Sequence, residues 1–414
     1  MTPVDATEQP GQAPWTCPFC PLLCDSFGVA LGPPGMPPTL TGSECPRAHA
    51  ALAMFGGAPA AERPSVDGRD CDVESALAAA ASMLAASRQP LFGGLGTDVA
   101  GARALHALAC ETGAICDPAG GPALMHGLRA LQDRGGFSTT LAEVRSRADL
   151  IVCMTGEPTP RYPEFFRRCG VGEPEGARTE VLPLHGDLFD TVALLAALVA
   201  GRLAADDGRV PAGLAALAQR LRVARYAVLV YETGRLPAQG ALIVEGIQRI
   251  VATLNLGTRA ASLALGGDDG ASTVNQVFAW LSGLPLRSRA GPRGLEHESL
   301  CFDAQRLLSD GAVDLLLWVS SFGPQPGPPA PDLPCIVLGH PRMQLPQEAQ
   351  APSRGRVFIP VSTPGIGSGG HLFRTDGSVL LPLRRLYDDG LPSVAEVVGR
   401  LTQAVRVSKK ERVQ

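Results

Sequence analysis

The chain has 414 residues, and 36 basic side chains nearly balance 40 acidic ones, for a net charge of −4. That length suits two or three domains with a large core, and the balanced charge excludes a basic nucleic-acid-binding field or an acidic tail. Lysine occurs only at Lys409 and Lys410, which excludes a Gly-x4-Gly-Lys phosphate loop in the body of the chain.

Residues 1–14 are polar, contain proline and lack an apolar signal core, so they are expected to be disordered and the protein cytoplasmic. No apolar run reaches membrane-spanning length; residues 191–201 are too few. Residues 15–64 form a loop-rich unit whose proline- and glycine-rich stretch 32–38 reads as a hairpin tip. The rest alternates between helical and strand patterns. Helices are expected at 75–87, 98–112, 124–134, 188–203, 211–222, 240–254, 274–282, 301–309 and 394–405. A strand running into a glycine-rich turn is expected over 90–96, and strands at 113–117, 148–154, 178–183, 226–231, 260–265, 314–319, 335–339 and 357–361. Strand–helix–strand succession at this pace is the signature of parallel sheets with crossover helices. The predicted fold class is therefore α/β: a small Cys-rich unit (15–64), then two Rossmann-like units, 65–200 and 201–414, with approximate boundaries that leave room for interleaving.

The most specific motif lies at the front. Cys17, Cys20 and Cys24 have the spacing Cys-x2-Cys-x3-Cys, and Cys45 follows about twenty residues later. Four thiolates converging on one small volume are the donor set of a cubane iron–sulfur cluster. Pro18 and Pro21 keep the first three in a tight loop rather than a helix. Zinc takes four thiolates too, usually from paired Cys-x2-Cys knuckles, and the second half here has one Cys. A third reading keeps the cysteines as small buried residues. The turn Gly93-Gly94-Leu95-Gly96 follows a strand and precedes a helix, where backbone amides could meet a phosphate. A tight strand–helix turn explains the same glycines. No His-x-His, His-Glu-x2-His or nucleophile elbow marks a hydrolytic site. His49 sits beside the fourth Cys, and His297 lies in a polar stretch where solvated charge is the simpler reading.

Taken together, the four cysteines, Arg63-Pro64 and the stacked α/β units resemble a molybdopterin oxidoreductase, and most closely the B subunit of formylmethanofuran dehydrogenase and its bacterial formyltransferase/hydrolase relatives. The stretches 17–25, 128–152, 156–168, 274–287 and 358–385 carry the likeness over nearly the whole chain. The resemblance implies an Mo or W ligand, Cys or selenocysteine, in the turn after the second strand. Here that turn, 117–127, holds no Cys. Cys116 stands in front of it, the ligand position falls near Pro122 or Ala123, and His126 reads as a relic of the neighbouring His or as an ordinary carbonyl-bonding histidine. A soft metal needs a thiolate or selenolate, which Pro and Ala cannot supply.

The implied role is a degenerate, non-catalytic scaffold subunit without Mo/W-bis-pterin, with a 4Fe-4S cluster as the candidate cofactor. It would work beside the A, C and D subunits on a methanofuran-type formyl carrier, in tetrahydromethanopterin-linked oxidation of formaldehyde to formate. Formyl transfer and hydrolysis would sit on the A and D subunits, with no nucleic acid and no membrane involved. The alternative is a working Mo or W oxidoreductase acting on formate or formylmethanofuran. Arg161, Arg167 and Arg168 are candidates for a carboxylate-rich carrier tail, since the guanidinium fork matches a carboxylate.

Overall fold

The computed structural model describes residues 14–33, 35–56, 63–172, 179–325, 327–329, 332–345 and 355–413. The disorder expected for 1–14 concerns residues that lie, but for Pro14, outside this set.

Two sheets organise the chain. The larger has nine strands. At its centre Ile115–Pro118, Pro90–Gly96, Leu315–Ser320, Cys335–Gly339 and Arg356–Pro360 run parallel, in registers such as Leu91 opposite Ile115 and Leu317 opposite Ile336. Both faces of these strands are covered, so their sequences are near-continuous apolar runs. Short antiparallel hairpins close the two edges: Ser288–Gly291 with Gly294–His297, and Ser65–Val66 with Arg69–Asp70. The smaller sheet has four parallel strands in the order Arg259–Leu265, Tyr226–Glu232, Leu150–Cys153, Glu180–Pro183.

The chain thus leaves the large sheet after Pro118, builds the small one, and returns at Ser288. The expected cut at 200/201 falls inside the smaller sheet, whose strands lie on both sides of it. Strand pairing is non-local, so nothing in the local pattern marks where the chain departs and comes back.

Helices Val73–Ala86, Val99–Thr112, Ala271–Ser282 and Val394–Val413 supply Leu77, Leu105, Val274 and Leu401 to the core of the large sheet. Each fully buried leucine there contributes about 1.5–3 kcal/mol. Asp72 and Asp98 start two of these helices by accepting the Ser75 and Gly101 N–H groups, and Gly113 ends one in the left-handed conformation at φ 70°. The small sheet is buried on both faces. Leu150 and Val152 face helices Leu188–Val199, Ala212–Val223 and Ala241–Leu254. Ile151 and Cys153 share a core with Trp15, Leu22 and the four front cysteines. The Cys-rich unit therefore has no core of its own; it packs on the small sheet. Among the described residues, no helix is long and apolar enough to cross a membrane.

Three local expectations change. Gly93, Gly94 and Gly96 are not a turn but part of the buried Pro90–Gly96 strand. Trp318 pairs with Gly93 and Ser320 with Gly96, so the Gly94–Leu95 step carries one extra residue, a bulge, with φ 71° and 57°. A Cβ on Gly94 would sit 2.5 Å from the Val319 carbonyl oxygen, and one on Gly93 would sit 3.0 Å from the Trp318 ring. Close packing on the Leu315–Ser320 strand, not a phosphate, accounts for these glycines. Pro122, Ala123 and His126 lie on helix Gly121–Arg134 rather than in a loop, because Gly120 at φ 69° turns the chain and Pro122 is acceptable in a first turn. His297 belongs to the edge hairpin, and its Nδ1 lies 3.0 Å from the Arg287 carbonyl oxygen.

Candidate functional site: four buried thiols

The Cys loop closes on itself. The Trp15 N–H donates to the Phe27 carbonyl (2.8 Å) and the Cys17 N–H to the Cys24 carbonyl (2.9 Å). Between them, Leu23 turns back to Cys20 (3.1 Å) through a left-handed φ of 43°. Cys45 arrives from the other side as the residue preceding helix Pro46–Leu52, its N–H bonded to Ser43 Oγ at 3.1 Å. Long-range bonds fix this loop. Trp15 Nε1 donates to the Gly365 carbonyl (2.8 Å), the Thr375 N–H to the Pro21 carbonyl (2.8 Å), and Arg47 pairs with Asp268 (2.7 Å). Gly365 and Asp268 lie just past the carboxyl ends of strands Arg356–Pro360 and Arg259–Leu265. The thiols thus sit over the carboxyl ends of both sheets, where open parallel sheets bind ligands.

All four cysteines are buried and none is in a disulfide. Burial pushes the Cys17 thiol well above its ordinary range, and the neighbouring Cys20, Cys24 and Cys45 charges push the same way. Burial likewise raises Cys20 to about 11, against the pull of Arg47, and Cys24 to about 12. Such thiols are protonated at neutral pH unless a cation shares the volume. Among the described residues, no group of three or more His, Cys, Asp or Glu is gathered as a single metal ion would require. The charges of Cys20, Cys24 and Cys45 all act on Cys17, so the four side chains share one region of the core.

The turn after the second strand is different. Cys116 is wholly buried in the large-sheet core, and burial raises its thiol far above its ordinary range. Ahead of Pro122 and Ala123, the next residue, Asp117, accepts from Arg287 Nε (2.9 Å) and Nη2 (3.3 Å) and from the Ala304 N–H (2.8 Å). Arg287 also binds Asp303 and the Ser299 carbonyl. Arg287 and Asp117 are 3 % and 2 % exposed, and Arg287 holds a left-handed φ of 61°. Asp117 and Arg287, the charged pair at this turn, are committed to the chain itself, and no thiolate faces out of it. These residues do not fit a pterin-held Mo or W. Half-buried His126 packs close to Gly240, and burial lowers its pKa.

Each of the three candidate arginines is already paired. Arg161 lies 3.5 Å from Asp268 and 4.0 Å from Glu232; Arg167 pairs with Glu164 and stands over the Phe27 ring; Arg168 pairs with Asp25 at 2.6 Å. Sequence reasoning misses the Asp117–Arg287–Asp303 triad and the Arg47–Asp268 contact. Their partners are far apart in sequence, and no spacing rule links them.

No protein-family profile matches the chain. It is 33% identical, over 335 residues, to the B subunit of the formyltransferase/hydrolase complex Fhc from Methylorubrum extorquens, covering 76% of this chain and 89% of that protein. It is 26% identical, over 94% of its length, to the B subunit of the tungsten-containing formylmethanofuran dehydrogenase 2 of Methanocaldococcus jannaschii, covering 97% of that protein. Its fold matches a chain in the crystal structure of the formyltransferase/hydrolase complex (FhcABCD) from Methylorubrum extorquens in complex with methylofuran. That match has a TM-score of 0.70 at 30% identity and covers 85% of this chain and all of that one. On this likeness in sequence and in fold, the chain belongs to the family of B subunits of the formyltransferase/hydrolase complex.

Proposed function

We propose that this chain is the B subunit of a formyltransferase/hydrolase complex, working in the cytoplasm beside the A, C and D subunits. The complex moves a formyl group onto a methanofuran-type carrier and releases it as formate. Transfer and hydrolysis belong to the partners, and this chain is a scaffold descended from an oxidoreductase. The observation that carries this reading is the lack of a Cys in the turn after the second strand, in a chain related along most of its length to both kinds of B subunit. The core position of Cys116 and the Asp117–Arg287 pair support a subunit without the redox metal.

Cys17, Cys20, Cys24 and Cys45 would hold a 4Fe-4S cluster, which supplies a one-electron redox centre and a cross-link between the loop and helix Pro46–Leu52 when bound. Ser43 and the Cys17–Cys24 backbone bond position the thiols, and Trp15, Phe19 and Phe55 keep water from them.

The test is anaerobic purification of the chain co-expressed with its partner subunits, followed by elemental analysis and a visible spectrum. The expected result is a multi-subunit assembly with no tungsten or molybdenum and about four irons per chain. Stoichiometric tungsten or molybdenum would overturn the scaffold reading. A colourless, iron-free assembly would overturn the cluster assignment and leave the scaffold reading standing.

A further inference from the structure

A cavity of about 280 Å³ lies beside the carboxyl half of strand Arg259–Leu265, between helices Gly121–Arg134 and Ala241–Leu254. One side is apolar, formed by Leu124, Leu128, Leu131 and Val244. The other is the edge of the small sheet. There the Ser262 N–H donates to the Phe137 carbonyl (2.8 Å), and the Ser262 carbonyl accepts from the Thr139 N–H (3.1 Å). Ser262 therefore turns its peptide groups away from the neighbouring strand. By the alternation of a strand, Ala264 does the same. Its carbonyl accepts from Thr375 Oγ1 at 3.0 Å. By the same alternation its N–H points off the sheet edge too, where Ala264 lines the cavity beside Thr139 and Thr375.

Charge is settled here. Asp376 is the one charged residue lining the cavity. Its Oδ2 takes the Leu141 N–H (3.0 Å) and Arg374 Nε (3.1 Å), and its Oδ1 takes the Ser378 N–H (3.1 Å) and Oγ (2.7 Å). Tyr231 is buried, and its phenol is pushed up to about 12 by burial, so it stays neutral. An entering molecule meets leucines on one side and, on the other, the Ala264 backbone with neutral polar side chains such as Tyr231, Thr233, Gln248 and Ser272, and no unpaired charge. The volume is just below the usual range for drug-sized ligands, about 300–1,000 Å³, so the enclosed part of an occupant is small.

We propose that this cavity is a binding site for a small, flat, uncharged molecule that carries an amide carbonyl, accepted by the Ala264 N–H. A formamide is the form in which an amine carries a formyl group. That link to the carrier rests on the proposed function; the binding of a neutral amide does not.

The probe is N-benzylformamide, titrated into the purified complex by calorimetry or ligand-detected NMR, with benzoate as the charged counterpart. Saturable binding of N-benzylformamide at millimolar or lower concentration is expected, with benzoate at least tenfold weaker. Gly127 lines the cavity, and a Cβ added to it meets nothing within 4 Å, so Gly127→Phe starts without a backbone clash and directs a ring at this wall. It should weaken binding at least tenfold while the thermal midpoint stays within a few degrees. Should Gly127→Phe unfold, Leu131→Trp at the exposed wall gives the same readout. No saturable binding, equal binding of benzoate, or undiminished binding by the filled variant would overturn the site. Because the probe reads binding alone, its failure leaves the metal content and subunit composition of the complex untouched.

Discussion

Two buried polar centres in this chain invite comparison: the four thiols at the front, and the Asp117–Arg287–Asp303 triad at the turn after the second strand. Both lie deep in the fold, and both join segments far apart in sequence. In the triad one guanidinium bridges two carboxylates, and further hydrogen bonds join Arg287 to the Ser299 carbonyl and Asp117 to the Ala304 N–H. Among the described residues the thiols have no charged partner of this kind; Cys17 and Cys20 accept only from the Phe19 and Leu22 backbone N–H groups. Arginines stand near, but each pairs with a carboxylate of its own, Arg47 with Asp268 and Arg168 with Asp25. One centre is complete as the chain folds, and the other keeps its donors unspent. Under the proposed function the second is a cofactor site and the first is one without a cofactor.

The sharpest way to break this contrast is to truncate one member of each centre in metal-free protein. Arg287→Ala leaves Asp117 buried and unpaired and should destabilise the fold by about 3–5 kcal/mol in urea denaturation. Cys45→Ala should cost roughly 1 kcal/mol, the ordinary effect of a small buried truncation. Equal losses would mean that the thiols are structural and that the comparison fails.

A second measurement uses pH. Burial holds the Asp117 carboxyl up at about 6, against the pull of Arg287, while an unfolded aspartate titrates near 4. Between those values the folded chain keeps a proton that the unfolded chain has released. Stability from this group is therefore full below about pH 4, falls as pH rises to about 6, and is level above that. Relative to Asp117→Asn, the wild-type chain should lose about 2–3 kcal/mol across that window. A parallel pair of stability–pH curves would show that the triad does not couple to protons. An effect as small as that of Cys45→Ala is expected at Ser43→Ala, which removes the acceptor of the Cys45 N–H and should cost about 1 kcal/mol. If iron content in the anaerobic complex is also unchanged, Ser43 has no part in placing the fourth thiol.

Much of the architecture is legible in the sequence. Apolar runs such as residues 335–339 could only be strands covered on both faces, and Asp72 and Asp98 stand where helix caps belong. Helix Leu141–Arg147 escapes the pattern although Thr140 and Glu143 have capping-box spacing, because its seven residues are too few to show a period. The Cys spacing announces a thiol site, and the absence of Cys from 117–127 announces a missing ligand. That an ion pair occupies the turn is not legible, since Asp117 and Arg287 are 170 positions apart.

The amino-acid order alone determined the elements, the α/β class, the thiol set and the family, because periodicity, capping and motif spacing are local and survive without knowledge of neighbours. Only the tertiary structure decided the interleaving of the two sheets, the packing role of Gly93, Gly94 and Gly96, the shared core of the Cys loop and the small sheet, and which arginines meet which carboxylates. Those outcomes depend on contacts between segments that pair only once the whole chain is compact, and the energy that selects them is that of burial and charge matching across the fold.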